Sequence, residues 1–422
     1  MRSVKLAGLI AVSHFSKLVV ALLLIKLIAI ALGPAGLGFL GNYMSLISIA
    51  TALAGGGIIT GVVKHLSDFT PGSERQKAFI GNALIYSVVF SLVVTVAGWI
   101  FIDSISLEIF GGAEYSAYII IFLFAQSLAA INNFAYGVLN GLQENSKYAL
   151  VVVLGNIVSL GAAYFSIHYY GLTGAVLAVT FPLVAPLLPI FFFFNRKRNW
   201  LGISTNYLLD DFKKLSRFSL MLVASAICFP VVEIYVRNSI STSLGGDAVG
   251  IWQALIRLSS AYLSFFSVFL SFYLVPKISK EENGRKLLKA VFNTMFFLSL
   301  IFALMFLFVV LIKEKLIVLV FSEAFLEVGD YLLFQMLGDY LRIMGWVIGF
   351  VVVAKAATKL YIISELFQGL LFMLFAHMLL EQLRGMEGVV YAYIITCFLY
   401  FVISIFGFFF FIHKRRFKVG DV

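Results

Sequence analysis

The sequence predicts an all-α integral membrane protein: twelve transmembrane helices in two pseudo-symmetric six-helix lobes around a central cavity, with both termini in the cytoplasm. Three observations carry that expectation. Of the 422 residues, 62% are hydrophobic and only 12% charged, whereas a soluble domain is about half apolar and about a quarter charged. Apolar runs of the roughly twenty residues that a helix needs to cross a bilayer recur from end to end. Three short turns in the first half of the chain return in the second half at a nearly constant offset.

The first span, 6–32, follows the opening MRSVK, which resembles a signal peptide. The apolar run is too long for a signal core and contains Lys17 and Lys26, so it remains a span. The turn GPAGLG (33–38) leads into the second span, 39–63, and Lys64, Arg75 and Lys77 separate it from the third, 78–102. FGGAE (110–114) introduces the fourth span, 117–140, and a short loop holding Lys147 introduces the fifth, 148–169. GLTGA (171–175) opens the sixth, 175–194, which ends at the basic run NRKRNW (195–200). These form an N-terminal lobe over residues 1–200.

The C-terminal lobe, 201–422, repeats the order. Its spans are 217–243, 249–275, 289–312, 334–356, 360–380 and 389–412. Between them lie SLGGDAVGIW (243–252), the basic loop PKISKEENGRKLLK (276–289), FSEAF (321–325), Lys355 and Lys359, and GMEGV (385–389), with the tail HKRRFK (413–418) closing the chain. In lipid the backbone must satisfy its own hydrogen bonds, so these continuous runs are helices; the alternation of a membrane barrel is missing.

Lys and Arg fix the orientation. With both termini cytoplasmic, the cytoplasmic segments carry 23 of these residues and the outer loops three, Lys313, Lys315 and Arg384. That asymmetry also accounts for the net charge of +10 without a nucleic-acid partner; the basic segments face the anionic surface of the lipid bilayer. The turns ALGPAGLGFL (31–40) and SLGGDAVGIW (243–252) place Leu32 and Leu244 212 residues apart, and the other two turn pairs are offset by 211 and 214. Each offset contains six spans, an even number, so the two halves share one orientation and are related by an axis along the membrane normal, the plan of a transporter.

Eight Lys, Arg, Asp and Glu residues fall inside spans away from their very ends: Lys17, Lys26, Glu233, Arg237, Arg257, Asp339, Arg342 and Glu365. Each costs about 2.5–3.5 kcal/mol near a helix centre, so a wet cavity or an ion pair is expected to hold it. Glu233 and Arg237 stand at i,i+4 beside Pro230, and Asp339 and Arg342 at i,i+3, spacings that allow pairing. Lys26, near the outer end of its span, can snorkel. Lys17 and Arg257 have no carboxylate on their own helix face. Arg257 heads a stripe of Ser260, Ser264, Ser267 and Ser271, and Arg342 shares a face with Gly338, Gly345 and Gly349, which lets helices approach. The fourth span carries Gln126, Asn133 and Asn140 at heptad spacing, either helix-packing glue or a polar cavity wall. His14 lies one turn before Lys17, and His377 near the outer end of its span. The in-span charges sum to a positive excess, which suits an anionic headgroup; Lys and Arg are the natural ligands of phosphate.

No GxxxxGK[ST] loop, HExxH or Cys/His cluster occurs, so no cofactor or metal is expected. Cys228 and Cys397 lie far apart in apolar runs and are read as packing residues. The outer loops are too short for the large outer domain expected of a membrane glycosyl polymerase. A proton- or sodium-coupled exporter of cationic drugs would want unpaired acids, and Glu365 is the one acid without an obvious partner on its helix.

GPAGLG (33–38), AGGGIITGVVKH (54–65), VGIWQ (249–253), SFYLVPKIS (271–279) and the run GDYLRIMGWVIGFVVVAKAATKLYIISELFQ (338–368) leading into FAH (375–377) resemble the Wzx-type flippases of lipid-linked oligosaccharides, in the multidrug/oligosaccharidyl-lipid/polysaccharide exporter superfamily. The matching stretches lie in both halves. The resemblance implies alternating access that carries an undecaprenyl-pyrophosphate-linked glycan, an O-antigen or enterobacterial common antigen repeat unit, to the periplasmic leaflet of a bacterial inner membrane. A polysaccharide polymerase and a chain-length regulator are the implied protein partners. Arg342 stands where the family pattern resembles lysine, which keeps the charge but leaves the glycan open. On this reading Lys17, Lys26, Asn133, Arg237, Arg257 and Arg342 bind substrate, and Glu365, Asp339, Glu233 and His14 serve coupling or gating.

Overall fold

The computed structural model describes residues 2–66, 68–195, 207–279, 281, 283–354 and 358–419. The expected lobe boundary at 200/201, most of the basic run 195–200 and Lys355 lie outside the described residues, as do the side chains of His14 and of the tail 413–418. Among the described residues the regular elements are helices: α1 (Arg2–Leu53), α2 (Ile58–Leu66), α3 (Glu74–Ile100), α4 (Ile102–Phe110), α5 (Ser116–Gly141), α6 (Asn145–Val184), α7 (Leu187–Asn195), α8 (Leu208–Leu244), α9 (Gly246–Phe269), α10 (Val275–Ser279), α11 (Gly284–Val320), α12 (Val328–Ala354), α13 (Thr358–Leu383) and α14 (Met386–Val419). Eight helical stretches among the described residues are long and apolar enough to cross a membrane. Two of them, Phe15–Leu66 and Asn145–Phe192, are 52 and 48 residues long, each more than twice the about 20 residues of one crossing.

Those two long stretches arise because the turns within them are tighter than loops. Gly33 breaks α1 with φ 64° and ψ −167°, and Gly171 breaks α6 with φ 52° and ψ −120°. The backbone leaves helical geometry for one residue and resumes it. Pro34 then takes a first-turn position, where its missing N–H costs nothing. In the second half, Gly245 (φ 89°) separates α8 from α9, and Arg384 (φ 52°) separates α13 from α14. Positive φ therefore recurs at the two registers that the sequence repeat marks. At the third, matching 3₁₀ turns, Ala113–Tyr115 and Glu323–Phe325, follow α4 and α11.

One expected span needs correction. The run 39–63 is interrupted: α1 ends at Leu53 and α2 starts at Ile58. Gly55, Gly56 and Gly57 all take positive φ (71°, 76° and 62°), a run only glycine tolerates. The carbonyls this break releases do not stay bare. Asn133 Nδ2 donates to Thr51 O at 3.0 Å and to Ala54 O at 2.9 Å.

The chain divides into two compact units, Met1–Leu32 with Phe39–Ile234, and Gly33–Gly38 with Tyr235–Val422. In the first, α5 packs on α2, α3 and α6. Its apolar core includes Ile58, Val62, Phe79, Ala83, Phe134 and Val138, joined by Leu215 from the start of α8. Phe212 sets its ring edge on Tyr86, centroids 5.1 Å apart. Asp211, fully buried, is gripped by a two-pronged guanidinium: Arg75 Nη1 donates to Oδ2 at 2.9 Å and Nη2 to Oδ1. Asn82 Nδ2 adds a third bond at 2.8 Å, and the Arg75 guanidinium lies 5.0 Å from the Phe69 ring centroid and 4.3 Å from that of Tyr207. The first turns of α8 are thus fastened to α2 and α3.

In the second unit, α12 packs on α9, α11 and α14, and α13 on α14. A π-helical turn over Leu270–Leu274 joins α9 to α10. The short segment Gly33–Gly38 belongs here because the two copies of the repeated turn press backbone to backbone. A Cβ on Gly38 would lie 2.7 Å from Gly246 O and 2.8 Å from Gly250 N, and one on Gly250 would run into the Pro34 carbonyl. Gly250→Ala should therefore destabilise by about 1–3 kcal/mol, the cost of overpacking, seen as a lower unfolding midpoint of the detergent-purified protein. Gly161→Ala, at a helical glycine with nothing within 4 Å of the added carbon, should leave the midpoint unchanged or raise it.

Candidate functional site

The polar centre of the second unit is built on α12. Its glycine face takes aromatic rings from α14: a Cβ on Gly338 would sit 2.6 Å from Tyr393 Cδ1, and one on Gly345 2.7 Å from Tyr400 Cδ1. Close approach at Gly338 brings the Tyr393 hydroxyl to the next residue, Asp339, where it donates to Oδ1 at 2.6 Å. On the other side α9 supplies Ser259 Oγ, donating to Oδ2 at 2.6 Å, and the Tyr262 hydroxyl, donating to the same oxygen. A fully buried carboxylate with three hydroxyl donors has its lone pairs satisfied without an aqueous shell.

Arg342 stands one turn further along α12. Its Nη1 donates to the Tyr393 hydroxyl at 3.4 Å, and its guanidinium lies 5.1 Å from the Trp346 ring centroid. Glu365 on α13 is half-buried and within electrostatic reach of Arg342. Asp339 and Arg342, expected as an i,i+3 pair, and Glu365, which had no expected partner on its own helix, thus fall into one cluster. Ser259, Tyr262 and Tyr393 were not singled out. Ser259 and Tyr262 lie on a different face of α9 from the Arg257 stripe, and no spacing within one helix could have paired Tyr393 with a carboxylate 54 residues earlier.

Arg257 is half-buried on α9. In its stripe Ser260, Ser264 and Ser271 are exposed, and the hydroxyls of Ser264 and Ser271 bond to carbonyls of their own helix, at 2.7 Å and 2.9 Å. Arg237 is fully buried, with Nε donating to Gln253 Oε1 at 2.9 Å and the guanidinium 5.4 Å from the Trp252 ring centroid. It joins α8 to α9.

In the first unit, Lys17 is exposed on α1 with Nζ 5.8 Å from the Tyr136 ring centroid, a cation–π approach. Beside it Ser16 Oγ accepts from Asn156 Nδ2 at 3.0 Å. Lys26 is half-buried on the same helix. Glu233 Oε2 accepts from Ser45 Oγ at 2.8 Å. The heptad stripe of α5 resolves toward packing: Gln126 Nε2 donates to Ser91 O and Thr95 Oγ1, and Asn133 has its amide hydrogens on the broken end of α1. The amide hydrogens of Asn133 thus cap the unwound carbonyls of Thr51 and Ala54. His14 lies on α1.

Set against known proteins, residues 3–281 match a family described as polysaccharide biosynthesis protein. The lipid III flippases of Escherichia coli (strain K12) and Shigella flexneri are each 29% identical over 396 residues, 93% of this chain and 94% of theirs. Among solved structures, a multidrug resistance MATE family transporter of the MOP superfamily in an inward-facing conformation aligns with TM-score 0.78 at 17% identity, over 95% of both chains. A MOP superfamily transporter from Pyrococcus furiosus Vc1 aligns with TM-score 0.66 at 18% identity, over 98% of this chain and 96% of that one. At such identities these likenesses speak to the fold alone, which this chain shares with those two transporters.

Proposed function

We propose that this chain, which belongs to the polysaccharide biosynthesis protein family, flips an undecaprenyl-pyrophosphate-linked oligosaccharide from the cytoplasmic to the periplasmic leaflet of a bacterial inner membrane. The observation that carries the reading is the likeness to lipid III flippases over 93% of the chain. The chemistry supports it: arginine beside a hydroxyl-bound carboxylate, inside an apolar helical unit, is suited to a phosphate-bearing headgroup. On this reading twelve spans form lobes 1–200 and 201–422 with both termini cytoplasmic. Lys17, Arg257 and Arg342 hold the pyrophosphate or acidic sugars, while the prenyl chain stays in lipid. Lys26 and Arg237 add to the positive field. Asp339, Glu365, Glu233 and His14 are the groups on which coupling would draw. The protein acts as a transporter, not an enzyme, and hands its glycan to a polymerase and a chain-length regulator.

The driving force needs no nucleotide. Outward movement of one negative charge down an inside-negative potential gains about 2.3 kcal/mol per 100 mV, and a pyrophosphate carries more than one charge.

Purified protein in liposomes should make a fluorescent undecaprenyl-pyrophosphate oligosaccharide accessible to a membrane-impermeant quencher faster than empty liposomes do. It should not drive uptake of a cationic dye under a proton or sodium gradient. Dye transport without lipid flipping would overturn the reading in favour of a cation antiporter of the same fold.

A further inference from the structure

The geometry points to Tyr393 as a positioning residue that sets the direction of the Arg342 guanidinium toward the anionic headgroup. This rests on the reading of Arg342 as a phosphate-holding residue.

The Tyr393 hydroxyl has one proton and two lone pairs. The proton goes to Asp339 Oδ1 at 2.6 Å. Asp339 cannot turn to release it, because Ser259 and Tyr262 hold its other oxygen from α9. With the proton fixed, a lone pair faces Arg342 Nη1 at 3.4 Å. The ring cannot swing away either. The missing side chain of Gly338 forms the notch in which it lies, and Phe372 of α13 sets its ring against it at near right angles, centroids 5.7 Å apart. Trp346, 5.1 Å from the guanidinium, limits the other side. Arg342 is a long side chain with much rotamer freedom to lose when it binds. A tyrosine held by α12, α13 and α9 through Asp339 lowers that loss before substrate arrives, which is preorganisation.

The reason for a hydroxyl relay rather than a direct Asp339–Arg342 pair follows from charge. Direct pairing would turn the arginine's donors toward the carboxylate. Three neutral hydroxyls satisfy Asp339 in place of the guanidinium, so its charge and the orientation it imposes are separated: it steers Arg342 through Tyr393 without being its main acceptor.

The test uses the full-length protein in liposomes, with initial flipping rates of the labelled lipid-linked oligosaccharide measured against its density in the membrane. Tyr393→Phe, which removes one oxygen and keeps the ring, should raise the half-saturating density about tenfold with the maximal rate and the unfolding midpoint near wild type. In the Arg342→Ala background it should add nothing further. An unchanged half-saturation in Tyr393→Phe, with Arg342→Ala impaired, would overturn the inference and leave the functional reading standing. Wild-type behaviour of Arg342→Ala would overturn both. A fall in unfolding midpoint and maximal rate together, with half-saturation unmoved, would make Tyr393 a packing residue and also sink the inference.

Discussion

Arg75→Ala is expected to destabilise the protein by about 3–5 kcal/mol, the cost of leaving one member of a buried ion pair behind. Asp211 has no exposed surface, and without the guanidinium its carboxylate would keep only the Asn82 amide at 2.8 Å. The loss extends beyond charge, because the guanidinium also stacks between Phe69 and Tyr207. Asp211→Asn should cost less: Arg75, about a quarter exposed, can turn to water. Replacing both by apolar residues of similar volume should recover most of the loss. Unfolding midpoints of the purified variants in detergent check the order. A loss below about 1 kcal/mol for Arg75→Ala would mean the pair behaves like an ordinary surface ion pair.

Arg342→Ala is expected to cut transport about tenfold to a hundredfold while the protein still inserts and folds. A charge-assisted hydrogen bond is worth about 1.5–3 kcal/mol, and each 1.4 kcal/mol is about a factor of ten. Asp339 already has Ser259, Tyr262 and Tyr393 as donors, so its three hydroxyl bonds survive the substitution. Arg342→Lys should retain part of the activity, since a point charge still attracts phosphate but lacks the planar fork. Surface glycan in cells carrying each variant, normalised to protein level, checks both. Loss of the protein itself, in place of loss of glycan, would make Arg342 a structural residue.

The sequence was most informative where one residue type answers one local demand. Long apolar runs had to be helices, and Gly33 and Gly245 had to mark equivalent points, because a chain that reverses within one residue needs a φ that glycine alone adopts without strain. The glycine face of α12 was legible too, though not what would fill it. Periodicity misled where a helix is interrupted from within. The run 39–63 is apolar throughout, yet three successive glycines break it, and Asn133, which looked like part of a polar wall, caps the break. The charges could be found from composition, but their partners could not. A spacing of three or four residues reports neighbours on one helix and is silent about the helix packed beside it.

The sequence by itself thus determined that the chain is a helical membrane protein whose two halves repeat the same turns and whose apolar runs carry more cations than acids. Only the tertiary structure decided that Asp339 is held by hydroxyls from α9 and α14, that Arg342 reaches Tyr393, and that the start of α8 is fastened to α3. Helix formation depends on local hydrogen bonds and apolar surface, which each segment carries with it. The choice of partners depends on which side chains packing brings within hydrogen-bond reach, across separations of 51 to 136 residues in the chain.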